Sequence, residues 1–451
     1  MAARRQATAA SAREEAPAAA TSARGRPLPA LRRSLDRRPW LLLLALLPLL
    51  LGTPALANLA GLNAWGDESG YLRLADNLSH GRYLVGRPDQ IGSGAHYPDL
   101  WFGPGLPIVL VPFVALGVPL AATRLLGPLF VFLAAVVLFS VLRLHVSERA
   151  AVAGGLALGL YVPFYTVLQH LHSETLALLL VALAMYGTSR YLEQGRARQL
   201  AVAAVPLGWL ALTRVAYGWV LIALLVLSAG WWLVGRSRVA RRSAAICATA
   251  LVVTVPWLAY TYSVTGKPLY WGASGGLSLY WAASPYPGEL GDWHQTREVF
   301  ADPRLAHHRP FFERLRGRPL ADQDEELVRA GLDNIRSHPG KYASNVFANV
   351  SRMWFDFPYS FQQQRLRPLA FVVPNAFLLV GLVVAAALLA AHRRPRLPVA
   401  ATGFAAFAAA AFVLHALLAA YPRMLFALVP VLIWFVVLVL CRLPGQAPVR
   451  R

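Results

Sequence analysis

Eleven apolar runs set the terms for this chain: residues 40–60, 105–122, 125–142, 150–167, 174–192, 200–214, 217–235, 243–263, 369–391, 397–418 and 421–441. Each approaches the roughly 17 to 25 residues that a helix needs to cross a hydrocarbon core about 30 Å thick. A segment that enters lipid must satisfy its backbone N–H and C=O groups internally, and in runs of this length that means a helix. The expected fold class is an all-α integral membrane protein. Composition agrees: 57% of the 451 residues are hydrophobic and 14% charged, well outside the range of soluble domains. A net charge of +21 would suggest nucleic acid in a soluble chain. Here the basic residues sit in short clusters between apolar runs, so topology explains them and no nucleic-acid partner is expected. The two cysteines, Cys247 and Cys441, fall in apolar runs and give neither a disulfide framework nor a thiolate metal site.

Arginine clusters lie at 1–39, 143–149, 190–198, 236–242, 393–396 and 442–451. The positive-inside rule assigns each to the cytoplasm, and eleven crossings cannot satisfy all six. The conflict disappears if 105–122 does not cross. Pro104, Pro107, Pro112 and Pro119 break that run, and Gly103, Gly105 and Gly117 loosen it, so it reads as re-entrant or interfacial. About ten transmembrane helices remain, with both termini cytoplasmic. The six clusters then hold 24 of the 43 basic residues and 5 of the 22 acids, which leaves most carboxylates outside. Five regions follow: a disordered Arg/Ala-rich tail at 1–39, a transmembrane module at 40–263 with a first outer loop at 61–124, a large outer loop at 264–368, C-terminal helices at 369–441, and a tail at 442–451. Arg37-Arg38 before the leucine run and Ala55-Leu56-Ala57 after it mimic a signal peptide, but the many later spans favour an uncleaved anchor.

The two large outer segments hold the residues with chemistry. Asp67 and Glu68 follow the first span, and an acid at a lipid boundary costs free energy and needs a reason. Tyr71, Leu74, Ala75 and Leu78 recur at helical spacing from Asp67, so a short amphipathic helix can carry the acidic pair at its N-terminus. The second outer segment interleaves Tyr270, Trp271, Tyr280, Trp281, Tyr286 and Trp293 with glycines. Amphipathic helices are expected near 322–337 and 339–356, the latter opening at Pro339.

The order of these features resembles polyprenyl-phosphate-sugar-dependent glycosyltransferases of the GT-C superfamily, in particular the protein O-mannosyltransferase-like family 39 and the lipid A aminoarabinose transferases. The acidic pair with Tyr71 and Ala75-x-x-Leu78 is similar to their first outer loop. Tyr97-Pro98, Gly103-Pro104-Gly105-Leu106-Pro107 and Ala121-Ala122-Thr123-Arg124-Leu125 continue the pattern. So do His172-Ser173-Glu174-Thr175-Leu176, Leu212-Thr213-Arg214, Gly275-Gly276-Leu277, Ile335-Arg336-Ser337-His338-Pro339 and Tyr421-Pro422-Arg423. Tyr97-Pro98-Asp99 replaces the family's His-Pro-Pro form. The resemblance implies a GT-C-like bundle in the cell membrane. It also implies transfer of a sugar from a polyprenyl-phosphate donor to an acceptor in the envelope, with inversion and with the active site outside.

Such a transfer needs a general base for the acceptor hydroxyl and cations, rather than a general acid, for the leaving phosphate. Asp67 is the expected base, with Glu68 as its substitute or electrostatic partner; the alternative for Asp67 is a helix cap. Glu174 is the expected second acid, or else a solvated residue heading a span. Arg214 and Arg423 are the expected phosphate ligands, with snorkelling as the alternative. Tyr71, Tyr97, Tyr280 and Trp281 would line the substrate loop, although an interfacial aromatic belt accounts for such residues equally well. His170 and His172 alternate with Glu174 and could hold a divalent metal, Mg or Mn, together with Asp67. His307-His308 reads as exposed loop. A lipid-linked glycan ligase or polymerase, a lipid-carrier flippase or transporter, and a non-catalytic scaffold remain as rivals.

Overall fold

In the computed structural model, residues 38–59, 63–64, 66–83, 87–88, 96–97, 100–361, 369–391 and 397–441 are described. The expected tails at 1–39 and 442–451 therefore fall almost wholly outside the described residues. From Trp40 onward the chain is one compact unit. Its described residues form helices, apart from a two-residue antiparallel ladder pairing Arg87 with Tyr97 and Pro88 with His96.

Among the described residues, eight helices are long and apolar enough to cross a membrane: Pro39–Leu56, Leu120–Arg143, Ser173–Gln194, Ala216–Gly235, Arg238–Thr265, Leu369–Ala391, Val399–Ala416 and Pro422–Leu440. The chain is a multi-pass membrane protein. Two of the ten expected spans are shorter than this. The run at 150–167 forms the helix Glu148–Gly159 and then, after a break at Leu160 and Tyr161, the 3-10 turn Val162–Thr166 around Pro163. Ala197–Thr213 has 17 residues, a rise of about 26 Å. The run expected not to cross does fall short. Its helix Gly105–Ala115 has 11 residues, a rise of about 16 Å, and Gly117 in the left-handed region followed by Pro119 separates it from Leu120.

The Ser173–Gln194 helix shows how the two ends of the bundle differ. Its 22 residues rise about 33 Å, with Glu174 at one end and a two-residue turn, Gly195 and Arg196, at the other. At that second end Arg242 donates to the carbonyl of Leu192 at 2.5 Å, which brings the arginine clusters of 190–198 and 236–242 together. Asp67, Glu68 and Glu174 lie at the opposite end.

Between Gly266 and Phe361 the chain forms a helical layer packed on the bundle. Gly275–Ala282 packs on Leu320–Ser337, and Pro339–Phe355 packs on the start of the Pro422–Leu440 helix. The last two long helices lie close to where the amphipathic pattern places them. Within the aromatic stretch, Trp271, Tyr280 and Trp281 are buried in hydrophobic cores and so are neither a sugar-stacking surface nor a lipid belt, whereas Tyr286 is exposed.

Candidate active site

Four charged side chains meet at the acidic end of the bundle, and each is placed by a helix terminus. Asp67 lies in the first turn of the Gly66–Ser79 helix and Glu174 in the first turn of Ser173–Gln194, where the helix dipole favours an anion. Arg214 ends the Ala197–Thr213 helix, where the dipole favours a cation. Arg423 lies in the 3-10 turn Pro422–Leu428. Arg423 donates through Nη1 to Oδ2 of Asp67 at 2.6 Å, and its Nε is 3.5 Å from Oε1 of Glu174. Arg214 donates through Nη1 to the same Glu174 oxygen at 2.6 Å. Glu174 thus bridges two guanidinium groups while buried, whereas Asp67 and Arg423 keep about a third of their side-chain surface open, 29% and 31%.

The Gly66–Ser79 helix is held in place by its apolar face, and Tyr71, Leu74 and Ala75 are buried as the spacing predicts. Gly66 has φ +59°, a turn into the helix that a side chain would strain. Tyr71 donates to Oγ of Ser173 at 3.0 Å, which ties Asp67 to the helix bearing Glu174. Two sequence motifs pack directly on each other nearby. A Cβ at Gly103 would lie 2.0 Å from the carbonyl oxygen of Leu212, and one at Gly105 would lie 2.2 Å from Oγ1 of Thr213. Glycine is required at both, because this segment presses against the backbone that presents Arg214.

Glu68 points away from this cluster. Its carboxylate accepts from Arg124 Nε at 2.9 Å and Nη2 at 2.7 Å, and from the Leu171 amide at 2.9 Å. His170 Nδ1 lies 3.1 Å from its Oε2. Burial raises the Glu68 pKa, but the Arg124 hydrogen bonds, the Leu171 amide and His170 outweigh it, so the carboxyl titrates below its ordinary range. Glu68 belongs to a buried ion pair with Arg124, not to the exposed cluster. Sequence reading places Arg124 only in the Ala121–Leu125 motif and not with Glu68, although a charge near the head of the apolar 120–143 stretch signals a buried partner.

Other expectations also need correction. Tyr71 is packed under the site rather than lining it. Tyr280 and Trp281 lie in the outer layer's core, where Tyr280 Oη is 2.7 Å from His308 Nδ1. The side chain of Tyr97 lies outside the described residues. His170 and His172 do not share a ligand set: the first pairs with Glu68, and the second has Nδ1 3.8 Å from Glu174 Oε2. Burial holds the His172 pKa low. Among the described residues, the candidate metal-binding group is instead Glu289, His307 and His308. His308 is buried there, contrary to the exposed loop expected.

Residues 103–260 match the family described as dolichyl-phosphate-mannose-protein mannosyltransferase. The match covers about a third of the chain and includes the Gly103–Pro107, Arg124, Glu174 and Arg214 motifs. Among solved structures, the chain is similar to ArnT from Cupriavidus metallidurans bound to undecaprenyl phosphate, with 17% identity and a TM-score of 0.49 over 89% of this chain and 60% of that one. It is also similar to the archaeal oligosaccharyltransferase AglB from Archaeoglobus fulgidus, in complex with an inhibitory peptide and a dolichol-phosphate, with 14% identity and a TM-score of 0.48 over 90% of this chain and 50% of that one. The chain thus spans 60% or less of the length of either structure. A comparison with curated proteins gives no match.

Proposed function

We propose that this protein transfers a sugar from a polyprenyl-phosphate carrier to an acceptor on the extracytoplasmic face of the cell membrane. One observation carries the reading: the family match covers the segment that supplies Glu174 and Arg214, and these two residues join Asp67 and Arg423 in a partly open charged cluster at the end of the bundle away from the 190–198 and 236–242 arginines. The positive-inside rule assigns that arginine-rich end to the cytoplasm, and the cluster therefore to the outside, where lipid-linked donors replace nucleotide sugars.

The geometry supports a single displacement. The donor phosphate engages Arg423, whose guanidinium is the more open of the two and can grip an anion through two nitrogens. Doing so loosens the Asp67–Arg423 pair and leaves the Asp67 carboxylate available to the acceptor. The acceptor oxygen bonds to the anomeric carbon and its proton passes to Asp67. The bond from that carbon to the phosphate oxygen breaks, and its electron pair stays with the leaving polyprenyl phosphate. Attack opposite the leaving group inverts the carbon. Glu174, held by Arg214 and Arg423, fixes the positions of both cations. The residues expected to hold Mg or Mn do not fit that role: Asp67 and Glu174 are each neutralised by arginine and His170 is engaged by Glu68. No step is routed through a metal there.

A deletion strain tests the reading. It should accumulate a polyprenyl-phosphate-linked sugar and show an envelope glycan, lipid or protein lighter by one sugar residue in mass spectrometry, with both changes reversed by the wild-type gene. Unchanged envelope masses with no accumulated lipid-linked sugar would reject the proposal.

A further inference from the structure

Glu289, His307 and His308 lie in the outer layer. Glu289 follows the Gly275–Ala282 helix, and the two histidines close the 3-10 turn Pro303–His308. His307 Nε2 is 2.8 Å from Glu289 Oε1, and His308 Nε2 is 3.0 and 3.1 Å from Oε1 and Oε2. The carboxylate and the His308 ring are buried, whereas His307 keeps 34% of its side-chain surface exposed.

We propose that these three residues bind a Zn²⁺ ion that braces the outer layer. Two imidazole nitrogens and one carboxylate suit zinc, whereas Mg²⁺ and Ca²⁺ prefer all-oxygen sets. Zinc bonds of about 2.0–2.1 Å at tetrahedral angles place ligand atoms about 3.3 Å apart. The present contacts need to open by only a few tenths of an ångström. The far side of each buried ligand is already held, as metal ligands require. Tyr280 Oη lies 2.7 Å from His308 Nδ1 and Ser284 Oγ donates to Glu289. The ring of Tyr286 packs on His307 with centroids 3.8 Å apart. Lys341 donates to the Glu289 backbone carbonyl at 2.5 Å. The exposed edge of His307 leaves a fourth position for water and a path of entry.

The site sits where a brace has an effect. Four residues after Glu289, the carbonyl of Trp293 accepts from Tyr421 at 3.0 Å, two residues before Arg423. Between them, the carbonyl of Leu290 accepts from the buried Arg352 at 2.9 Å. Fixing Glu289 therefore fixes the chain against which the Arg423 turn is docked. This inference stands on its own residues and does not depend on the transferase reading.

The test uses the full chain, purified in detergent with a tag free of histidine, stripped with chelator and titrated with Zn²⁺ by calorimetry and metal analysis. One zinc per chain is expected, with a rise in the thermal midpoint that Mg²⁺ does not reproduce. His307→Ala removes a partly exposed ring and should leave folding intact while weakening zinc binding at least tenfold; Glu289→Gln should do the same. X-ray absorption should show two imidazoles on the bound zinc. Absence of saturable binding, or equal affinity in wild type, His307→Ala and Glu289→Gln, overturns the proposal and leaves a histidine–carboxylate hydrogen-bond cluster. Loss of binding in His172→Ala but not in His307→Ala also overturns it.

Discussion

Asp67 and Glu68 are adjacent in sequence and separate in role, because successive helical residues point about 100° apart. Asp67 reaches Arg423 across a partly open surface, and Glu68 turns inward to Arg124. The two therefore fail differently when their charge is removed. Asp67→Asn keeps size and polarity but cannot take a proton; it should insert and unfold like wild type yet lose about 10²-fold or more in transfer rate, the lower end of general-base contributions. Glu68→Gln removes the carboxylate from the buried Arg124 pair, a change that costs about 3–5 kcal/mol in buried pairs. It should lower the unfolding midpoint. Near-normal turnover in Asp67→Asn, or an unchanged midpoint in Glu68→Gln, would contradict this division of labour.

At the scale of elements, the outer layer depends on the packing of Gly275–Ala282 against Leu320–Ser337. Asp324, buried at that contact, accepts from the Gly276 amide at 2.6 Å and lies near Tyr270 Oη at 3.4 Å. Burial pushes its carboxyl up to about 6, against the opposing pull of the Gly276 amide. A folded-state value above the unfolded one means that the native layer binds this proton more tightly. Stability is thus fullest below about pH 4 and falls as pH rises to about 6, then stays lower. Asn at 324 keeps an acceptor for Gly276 and never ionises. Asp324→Asn should raise the thermal midpoint at pH 8 by an amount worth at most about 3 kcal/mol, two pKa units converted, and the gain should shrink toward pH 4.5. A gain that is equal at both pH values would place the effect in packing rather than ionisation.

For the whole molecule, the separation of acidic and basic ends predicts sidedness. Ser147 caps the Glu148–Gly159 helix beside Arg143 and Arg149, and Ser337 ends an outer-layer helix; both are exposed. In a background with Cys247 and Cys441 replaced, a cysteine at 337 should react with an impermeant thiol reagent in intact cells. One at 147 should react only after the membrane is opened. Labelling at 147 from outside would invert the topology and place the charged cluster in the cytoplasm.

Local periodicity and the solvent on each side of a segment were enough to place most of the helices. Apolar runs became helices because lipid allows no other backbone solution; in 105–122, Gly117 and Pro119 follow the end of a short helix, whereas Pro107 and Pro112 lie within it rather than breaking it. The amphipathic spacing located the helices at Gly66–Ser79, Leu320–Ser337 and Pro339–Phe355 to within a few residues. Asp67, Glu174, Arg214 and Arg423 were legible because a charge at the end of an apolar run is costly and therefore informative. Which charges meet was decided by tertiary structure alone. Asp67 and Arg423 are 356 residues apart, and nothing local distinguishes Asp67 from Glu68. The pairing follows from how the Gly66–Ser79 helix seats its apolar face. The fate of the aromatic residues and of His307 and His308 was decided in the same way. A Trp or His in a polar, glycine-rich stretch suits a surface or a core equally well by type; Trp271, Trp281 and His308 became core here because helices close over them, while His307 kept an open edge.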